Sequence, residues 1–554
     1  MIRKLAWAAC VALAACATTT NDSQPPAPVG RADYADFLVG RVANLNADYA
    51  AAAERYQAAL IRAPHDQDLL DGAVSAALAA GDIERGRRIV RSAPEDTTSP
   101  YARLLRGADD LSARHFRDAA RELAAVRGGG AQEFAAAILG MWAKAGQGQA
   151  DVIDDDLRPL LTVRPFGSLL NAQQAMAYDL AGRNAEALQA YASAAEGGLW
   201  LPQAIVRHAD LLARTGAGEQ AGAVLSDSAN AGNPEIVAAA AHLAAGQSPA
   251  AAALTPARAA AIGLYGVSAI YFQQSDSANG LIALTLAQML DPTLDAARIA
   301  AATQQARLGH ADRAIETLQA IPAASAYASS ARVMEAWTLV DEGRGDDAVT
   351  LAQQAAASGD VRATRALGDI YRQLGRYDAA EGVYSTLITA HPDDWRLYFA
   401  RGAVLMRTDR VADGEADLQR ALALSPDQPD VLNYLGYAWI DQGVRLQEAL
   451  GMIQRAVALR PDSAAIVDSL GWAYYRMGDY PRALDALERA VQIDPGDATL
   501  NEHLGDVYWR VGRRTEARFQ WNHALAQSPD DADAIRAKLA HGLPAAAVNH
   551  PARR

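Results

Sequence analysis

Residues 431–529 read VLNYLGYAWIDQGVRLQEALGMIQRAVALRPDSAAIVDSLGWAYYRMGDYPRALDALERAVQIDPGDATLNEHLGDVYWRVGRRTEARFQWNHALAQSP, and this stretch repeats one pattern three times. Seven positions of the middle copy, Leu470, Gly471, Tyr474, Ala483, Leu487, Ala490 and Pro495, return thirty-four residues later as Leu504, Gly505, Tyr508, Ala517, Trp521, Ala524 and Pro529. The preceding copy has one extra residue, which we place in the turn between its two helices. A fixed period of this length predicts a stacked repeat architecture.

These small and large residues at fixed offsets resemble the tetratricopeptide repeat (TPR) family. The resemblance implies an all-α fold, a right-handed superhelical solenoid of helix-turn-helix hairpins. It also implies that the first helix of each hairpin lines a concave groove. Gly471 is expected where the two helices cross closely, with Ala483 and Ala490 opposite it, because larger side chains would separate the backbones. Pro495 is expected to end the second helix.

The pattern weakens toward the N-terminus. It is clear at Gly40, Ala52 and Tyr56, then decays into amphipathic pairs joined by Gly-centred turns. Two stretches interrupt the repeats. The glycines 128–130 predict a loop, and we interpret the Pro-containing segment 244–263 as a hinge or a weak helix pair. The predicted divisions are a lipoprotein signal peptide at 1–16, a flexible tether at 17–30, degenerate TPR-like pairs at 31–250, further TPR-like pairs at 251–360, a regular TPR array at 361–540 and a disordered tail at 541–554.

The N-terminus predicts export. Arg3 and Lys4 precede an apolar run of about eleven residues, shorter than the roughly 20 that span a bilayer. The run ends in LAAC at residues 13–16, which resembles the bacterial lipobox and implies lipidation of Cys16. An ordinary signal peptide is the alternative. Ala17 stands where an inner-membrane retention signal would place Asp, so the resemblance implies an outer-membrane lipoprotein that faces the periplasm.

Composition argues against several functions. The net charge of −14 disfavours nucleic acid as a ligand, because phosphate binding needs a surplus of Lys and Arg. The ten histidines are scattered singly, which predicts no metal site. The acidic run at 151–159 lacks the Gly and closing Glu of a calcium loop. With no catalytic motif in a suitable context, we expect no enzyme activity and no cofactor.

The candidate partner groove follows from the first helices of the regular array. Residues three and four apart share a helix face. On that face lie Arg362, Arg365, Arg372, Arg396, Phe399, Asn433, Tyr437, Asp468, Trp472, Tyr475, Arg476, Asp506, Trp509 and Arg510. A basic section therefore leads into an aromatic and acidic one. Either these are solvated faces with packed aromatics, or they form a groove for an extended peptide or a glycan.

TPR domains that hold a C-terminal carboxylate use a Lys/Asn clamp. Residues 361–529 hold no lysine, and Asp369 and Ala400 stand where clamp asparagines are expected, which argues against binding of chaperone tails. The resemblance implies a non-catalytic scaffold in the cell envelope, bound to proteins of an assembly, secretion or export machine. The alternative is a peptidoglycan- or polysaccharide-binding accessory of an envelope enzyme.

Overall fold

The computed structural model describes residues 31–94, 97–127, 130–149, 167–198, 201–227, 232–250, 252–408, 410–529 and 531–544. All twenty-nine secondary-structure elements of these residues are α-helices, which confirms the predicted all-α fold class. The signal peptide, the tether, Cys16, the acidic run at 151–159 and most of the predicted tail lie outside the described residues. None of the helices in the described ranges combines the length and apolar composition needed to cross a bilayer.

The chain divides into two compact units, unit 1 (Met1–Ala328) and unit 2 (Ser329–Arg554). The divisions at 250 and 360 that the sequence suggested follow the regularity of the repeats and not their compactness; they stay predictions.

Unit 1 holds sixteen of the described helices. They are α1 (Arg31–Leu45), α2 (Tyr49–Arg62), α3 (Gln67–Ala79), α4 (Ile83–Ser92), α5 (Pro100–Ser112), α6 (Phe116–Ala124), α7 (Ala131–Gly146), α8 (Gly167–Leu180), α9 (Asn184–Glu196), α10 (Pro202–Arg214), α11 (Gly218–Ser226), α12 (Pro234–Ala244), α13 (Pro256–Gln273), α14 (Ser277–Leu290), α15 (Asp295–Arg307) and α16 (Ala311–Gln319).

The remaining thirteen described helices form unit 2, with α17 beginning at the boundary. They are α17 (Ala328–Asp341), α18 (Gly345–Ala356), α19 (Val361–Gln373), α20 (Tyr377–Ala390), α21 (Trp395–Leu405), α22 (Val411–Leu424), α23 (Pro429–Gln442), α24 (Leu446–Leu459), α25 (Ala464–Arg476), α26 (Tyr480–Ile493), α27 (Ala498–Arg510), α28 (Arg514–Ala526) and α29 (Ala532–His541).

The hairpin of α25 and α26 shows how the sequence builds one repeat. Helix α25 stops before Gly478, whose φ of 80° is the left-handed conformation that glycine adopts without strain. Asp479 then caps α26 by accepting from the Arg482 backbone N–H at 3.3 Å. Ala483 and Leu487 are fully buried against α25. Local signals and apolar spacing therefore agree on the same hairpin.

The extra residue of the preceding copy lies in its inter-helix turn. There Gly443 and Arg445 both have positive φ, 71° and 47°. Two left-handed residues reverse the chain where the two following repeats use one glycine, Gly478 and Gly512. The turn absorbs the insertion, so the helices on either side keep the register of the repeat.

Within unit 1, α13 and α14 pack across other helices of the same unit. Helix α13 contacts α5, α7 and α8, and α14 contacts α3 and α5. Those are first helices of their pairs, and α3, α5 and α7 also lie side by side. Tyr101 on α5 donates a hydrogen bond to Asn279 on α14 at 2.8 Å, and Tyr271 on α13 donates to the Ala131 carbonyl at 3.3 Å. The face that would form a groove in unit 1 is covered by the chain's own hairpin.

The sequence of α13 and α14 explains that position. Both helices are apolar on all sides, and Ile262, Leu264 and Leu284 are at most 1% exposed. A helix without a polar face is stable only when it is surrounded. The sequence of the segment 244–263 predicts a hinge or a weak helix pair. The structure instead places Gly263 inside the central helix of unit 1, where small residues permit close contact on several sides.

Candidate functional site

The first helices of unit 2 leave a groove of about 600 Å³ between them. Its walls come from the end of α21 and from α23, α25 and α27, and α23, α25 and α27 contact one another in sequence order. Three of the predicted site residues, Asn433, Tyr437 and Asp468, line it. Arg407, Asp441 and His503 line it as well.

Upstream of the groove, three predicted arginines are exposed or half-buried and make loose local ion pairs. Arg362 lies 3.6 Å from Asp360, Arg365 lies 3.8 Å from Asp369, and Arg396 lies 3.6 Å from Asp394. Such surface pairs contribute about 0–1 kcal/mol each, so they hold these side chains only weakly.

Arg372 and Arg407 have a different environment. Each guanidinium lies by a tyrosine hydroxyl, that of Tyr384 for Arg372 and that of Tyr377 for Arg407. Burial raises the pKa of Tyr434, and the nearby positive charges of Arg407 and Arg372 oppose that rise. Both arginines therefore act on the surroundings of one hydroxyl. Phe399 packs edge-on against the same Tyr434 ring, with 5.8 Å between the ring centroids.

The predicted aromatic section contains a stack of partly buried rings. The Trp472 ring lies 4.8 Å from that of Tyr475 and 4.1 Å from that of His503, nearly parallel to both. The Nδ1 atom of His503 lies 2.9 Å from Oδ1 of Asp468. Buried Nε1 of Trp472 has no hydrogen-bond partner among the described residues. These rings therefore already contact one another.

The charge pair of Asp468 and His503 is a part of the groove that sequence reasoning missed, because His503 was counted among the scattered histidines. Asp468 is 5% exposed. Burial opposes protonation of His503, but the Asp468 carboxylate outweighs it and raises the pKa of His503 above 6.5. The pair spans 35 residues, one more than the 34-residue period.

The same offset of 35 residues links other predicted residues. Arg476 donates to Asp441 at 3.0 Å, and the Arg510 Nε atom donates to the Tyr475 hydroxyl at 3.2 Å, each across 35 residues. The spacing of the repeat is thus also the signal that would have found His503, since a side chain meets the equivalent position of the next first helix or the position after it.

Asp506 faces inward and supports the last helix. It is 4% exposed, accepts from the Trp521 indole N–H at 2.9 Å and pairs with Lys538 of α29 at 2.7 Å. Burial raises the pKa of Asp506, although Lys538 opposes the rise. The structure therefore places this candidate beneath the groove face.

Trp509 and Arg510 are covered by the end of the described chain. A Cβ atom on Gly542 would overlap the Trp509 ring, with 1.9 Å to its nearest atom, so this glycine lies directly on the indole. Arg510 donates to the Pro544 carbonyl. Trp521 contacts the same indole at 5.4 Å between ring centroids. The open part of the groove is therefore bounded by Arg407 and His503.

The described residues contain no group of three or more His, Cys, Asp or Glu that could hold a metal ion. The groove itself offers hydrogen-bonding groups, the amides of Asn433 and Gln442, ion pairs and aromatic rings, which are suited to holding a chain.

Two family models match unit 2. A tetratricopeptide repeat model matches residues 333–394 and 399–464, and a TPR repeat model matches residues 471–512. Unit 2 therefore carries tetratricopeptide repeats, as the sequence pattern predicted, and repeats of this kind bind proteins. No curated protein matches the chain.

Solved structures to which the chain is similar include three crystal structures. Crystalline MamA is 28% identical over 29% of this chain and 93% of its own, with a TM-score of 0.26. A tetratricopeptide repeat protein from Parabacteroides merdae is 16% identical over 44% of this chain and 97% of its own, with a TM-score of 0.37. The APC/C hetero-tetramer Cut9–Hcn1 is 16% identical over 93% of this chain and 97% of the matched chain, with a TM-score of 0.40.

Proposed function

We propose that the protein is a non-catalytic scaffold, anchored in the bacterial outer membrane by a lipid on Cys16 and facing the periplasm. In this proposal unit 2 binds protein components of an envelope assembly, secretion or export machine. The tetratricopeptide repeats of unit 2 support the protein partner. The lipid anchor and the outer-membrane location are supported by the sequence at residues 13–17 alone.

One observation carries the assignment of binding to unit 2. The first helices of unit 2 leave a groove of about 600 Å³, while α13 and α14 cover the first helices α3, α5, α7 and α8 of unit 1. A partner could reach the faces of those four helices only by displacing a hairpin that is buried and hydrogen-bonded. Unit 1 then serves as a spacer between the anchor and the binding unit.

Crosslinking in intact cells tests partner binding. A photo-crosslinking amino acid at Tyr437, in the groove, is expected to give a discrete product with another protein. The same group at exposed Gln447 on second helix α24, or at exposed Glu54 in unit 1, is expected to give none. Products at Glu54 and none at Tyr437 would reverse the assignment of the two units.

The anchor has its own test. Cys16→Ser is expected to move the protein from the membrane fraction to the soluble one and to abolish incorporation of an alkyne-labelled fatty acid. If fractionation and labelling stay unchanged, the lipid anchor is wrong, whatever the crosslinks show.

Glycan binding remains the alternative, and no observation favours it. A sugar ring needs an exposed aromatic face, whereas Trp472 is stacked on two rings and Trp509 is covered by Gly542. Retention on purified cell wall that is lost in Trp472→Ala and Trp509→Ala would restore it.

A further inference from the structure

The charges of unit 2 are unevenly distributed. Residues 361–410 contain eight arginines against six acidic residues, within a chain whose net charge is −14. This basic section leads into the groove, where Arg407 forms one wall.

The carboxylates that line the groove are already engaged. Asp441 accepts from Arg476 at 3.0 Å, and both oxygens of Asp468 lie within 3.0 Å of Nδ1 of His503. Asp497 caps α27 by accepting from the backbone N–H groups of Thr499 and Leu500, at 2.7 and 3.0 Å. Each of these three carboxylates therefore already has a hydrogen-bond donor or a cation from the protein itself.

The arginines at the basic end of the groove, Arg372 and Arg407, are not neutralised by an acidic side chain of the described residues. No carboxylate of the described residues forms an ion pair with Arg372 or Arg407, whose closest partners are the neutral hydroxyls of Tyr384 and Tyr377. A hydroxyl satisfies part of a guanidinium's donors and none of its charge. Two positive charges therefore remain available near Tyr434.

Asn433 adds a demand for a donor. The residue lines the groove, and its buried Oδ1 atom has no hydrogen-bond donor among the described residues. A peptide backbone supplies N–H groups at regular intervals, and an extended chain presents them beside its side chains. A ligand that supplies a carboxylate to the arginines and an N–H donor to Asn433 would therefore satisfy the unpaired groups of the groove.

We infer that the groove binds an extended acidic segment of the partner protein, whose side-chain carboxylates meet Arg407 and Arg372 and whose backbone N–H meets Asn433. The inference rests on the proposed function, because it assumes that a protein partner is bound here. The inferred partner segment is acidic, whereas the acidic residues of the groove face, considered alone, would suggest a basic one.

A displayed library of random twelve-residue peptides, selected on the full-length protein, tests the inference. The enriched peptides are expected to be rich in Asp and Glu. Synthesised peptides should bind Arg407→Glu about tenfold or more weakly than wild type, since a charge-assisted contact becomes a repulsion. Arg420→Glu is the matched control, because Arg420 is an exposed arginine on second helix α22 with no ion pair among the described residues.

Three results would overturn the inference. They are enrichment of basic or uncharged peptides, unchanged affinity in Arg407→Glu, and loss of binding when the peptide's C-terminus is amidated, which would assign the carboxylate to a chain end. If crosslinks at Tyr437 capture a protein in cells while the library shows no acidic preference, the inference fails and the proposed function stands. A missing crosslink removes the function itself.

Discussion

Leu487 packs directly onto Gly471, so closely that a Cβ atom on residue 471 would lie 2.5 Å from Cγ of Leu487. The two residues join α25 to α26. At Gly505 a Cβ atom would likewise meet the Trp521 ring at 2.5 Å. The spacing that identifies the repeat is therefore the spacing at which two helices touch through a missing side chain.

Gly471→Leu should overpack this contact. We expect a loss of about 1–3 kcal/mol in the free energy of unfolding, because Leu487 cannot retreat without opening a gap elsewhere. Urea unfolding of the full chain, followed by circular dichroism and by hydrogen exchange in α25 and α26, measures it.

Gly451→Ala is the matched control for that change. Gly451 lies within α24, is exposed and has nothing within 4 Å of an added Cβ atom. Alanine there should stabilise by about 0.5–1 kcal/mol through its better helix propensity. Equal effects of the two substitutions would mean that the contact with Leu487 is unimportant.

The regular repeats could be predicted because their signal is local and periodic. Gly471, Ala483 and Leu487 lie within one hairpin, so a single sequence contains the whole contact. The packing of α13 and α14 is different. Tyr101 and Asn279 are 178 residues apart, and no repeat period connects them. The usable signal was the all-round apolar surface of α13 and α14, which indicates surrounded helices.

The groove was predicted at the level of the helix face and not of the individual side chain. Asn433, Tyr437 and Asp468 do line it. Periodicity cannot tell an exposed ring from a packed one, so the sequence leaves both alternatives open for Trp472 and Trp509; in the structure Trp472 is stacked and Gly542 covers Trp509. The burial of Asp506 could not be predicted either, since its partner Lys538 lies beyond the last repeat.

The hairpin that covers the groove face of unit 1 should be sensitive to size at Gly266. A Cβ atom there would lie 2.6 Å from Cδ1 of Leu169 on α8. Gly266→Leu should therefore increase hydrogen exchange in α8 and α13 and leave α19–α28 unchanged. Gly222→Ala, in α11 with nothing within 4 Å, is the control. If hydrogen exchange in α8 and α13 of Gly266→Leu is as slow as in the wild type, the close packing at Gly266 is contradicted.

Lys538 should be needed for the end of unit 2. Lys538→Met leaves buried Asp506 without its cation, and breaking a buried pair costs about 3–5 kcal/mol. We expect the lower end of that range, because the Lys538 side chain is 19% exposed. Urea unfolding should show the loss.

Arg536→Ala on the same helix is the control for Lys538→Met. Its ion pair with Asp533 is mostly exposed and contributes at most about 1 kcal/mol. A Lys538→Met variant as stable as Arg536→Ala would show that Asp506 needs no partner.

His503 should make the stability of unit 2 depend on pH. Burial opposes its charge, but Asp468, with smaller contributions from Asp506 and Glu502, raises the folded-state pKa above 6.5. The folded state therefore binds the proton more tightly than the unfolded state. This contribution to stability is complete below pH 6.5 and is lost as the pH rises through the folded pKa. Urea midpoints of the wild type should fall over that window.

His503→Gln should remove that part of the pH dependence, because glutamine can hydrogen-bond to Asp468 without titrating. His391→Gln changes an exposed histidine at the end of α20 and should keep the wild-type profile. Lys538 remains paired with Asp506 and Glu502 in both variants, so the neighbouring charges are matched. If the midpoints of His503→Gln decline with pH as steeply as those of the wild type, the pair with Asp468 does not control the titration.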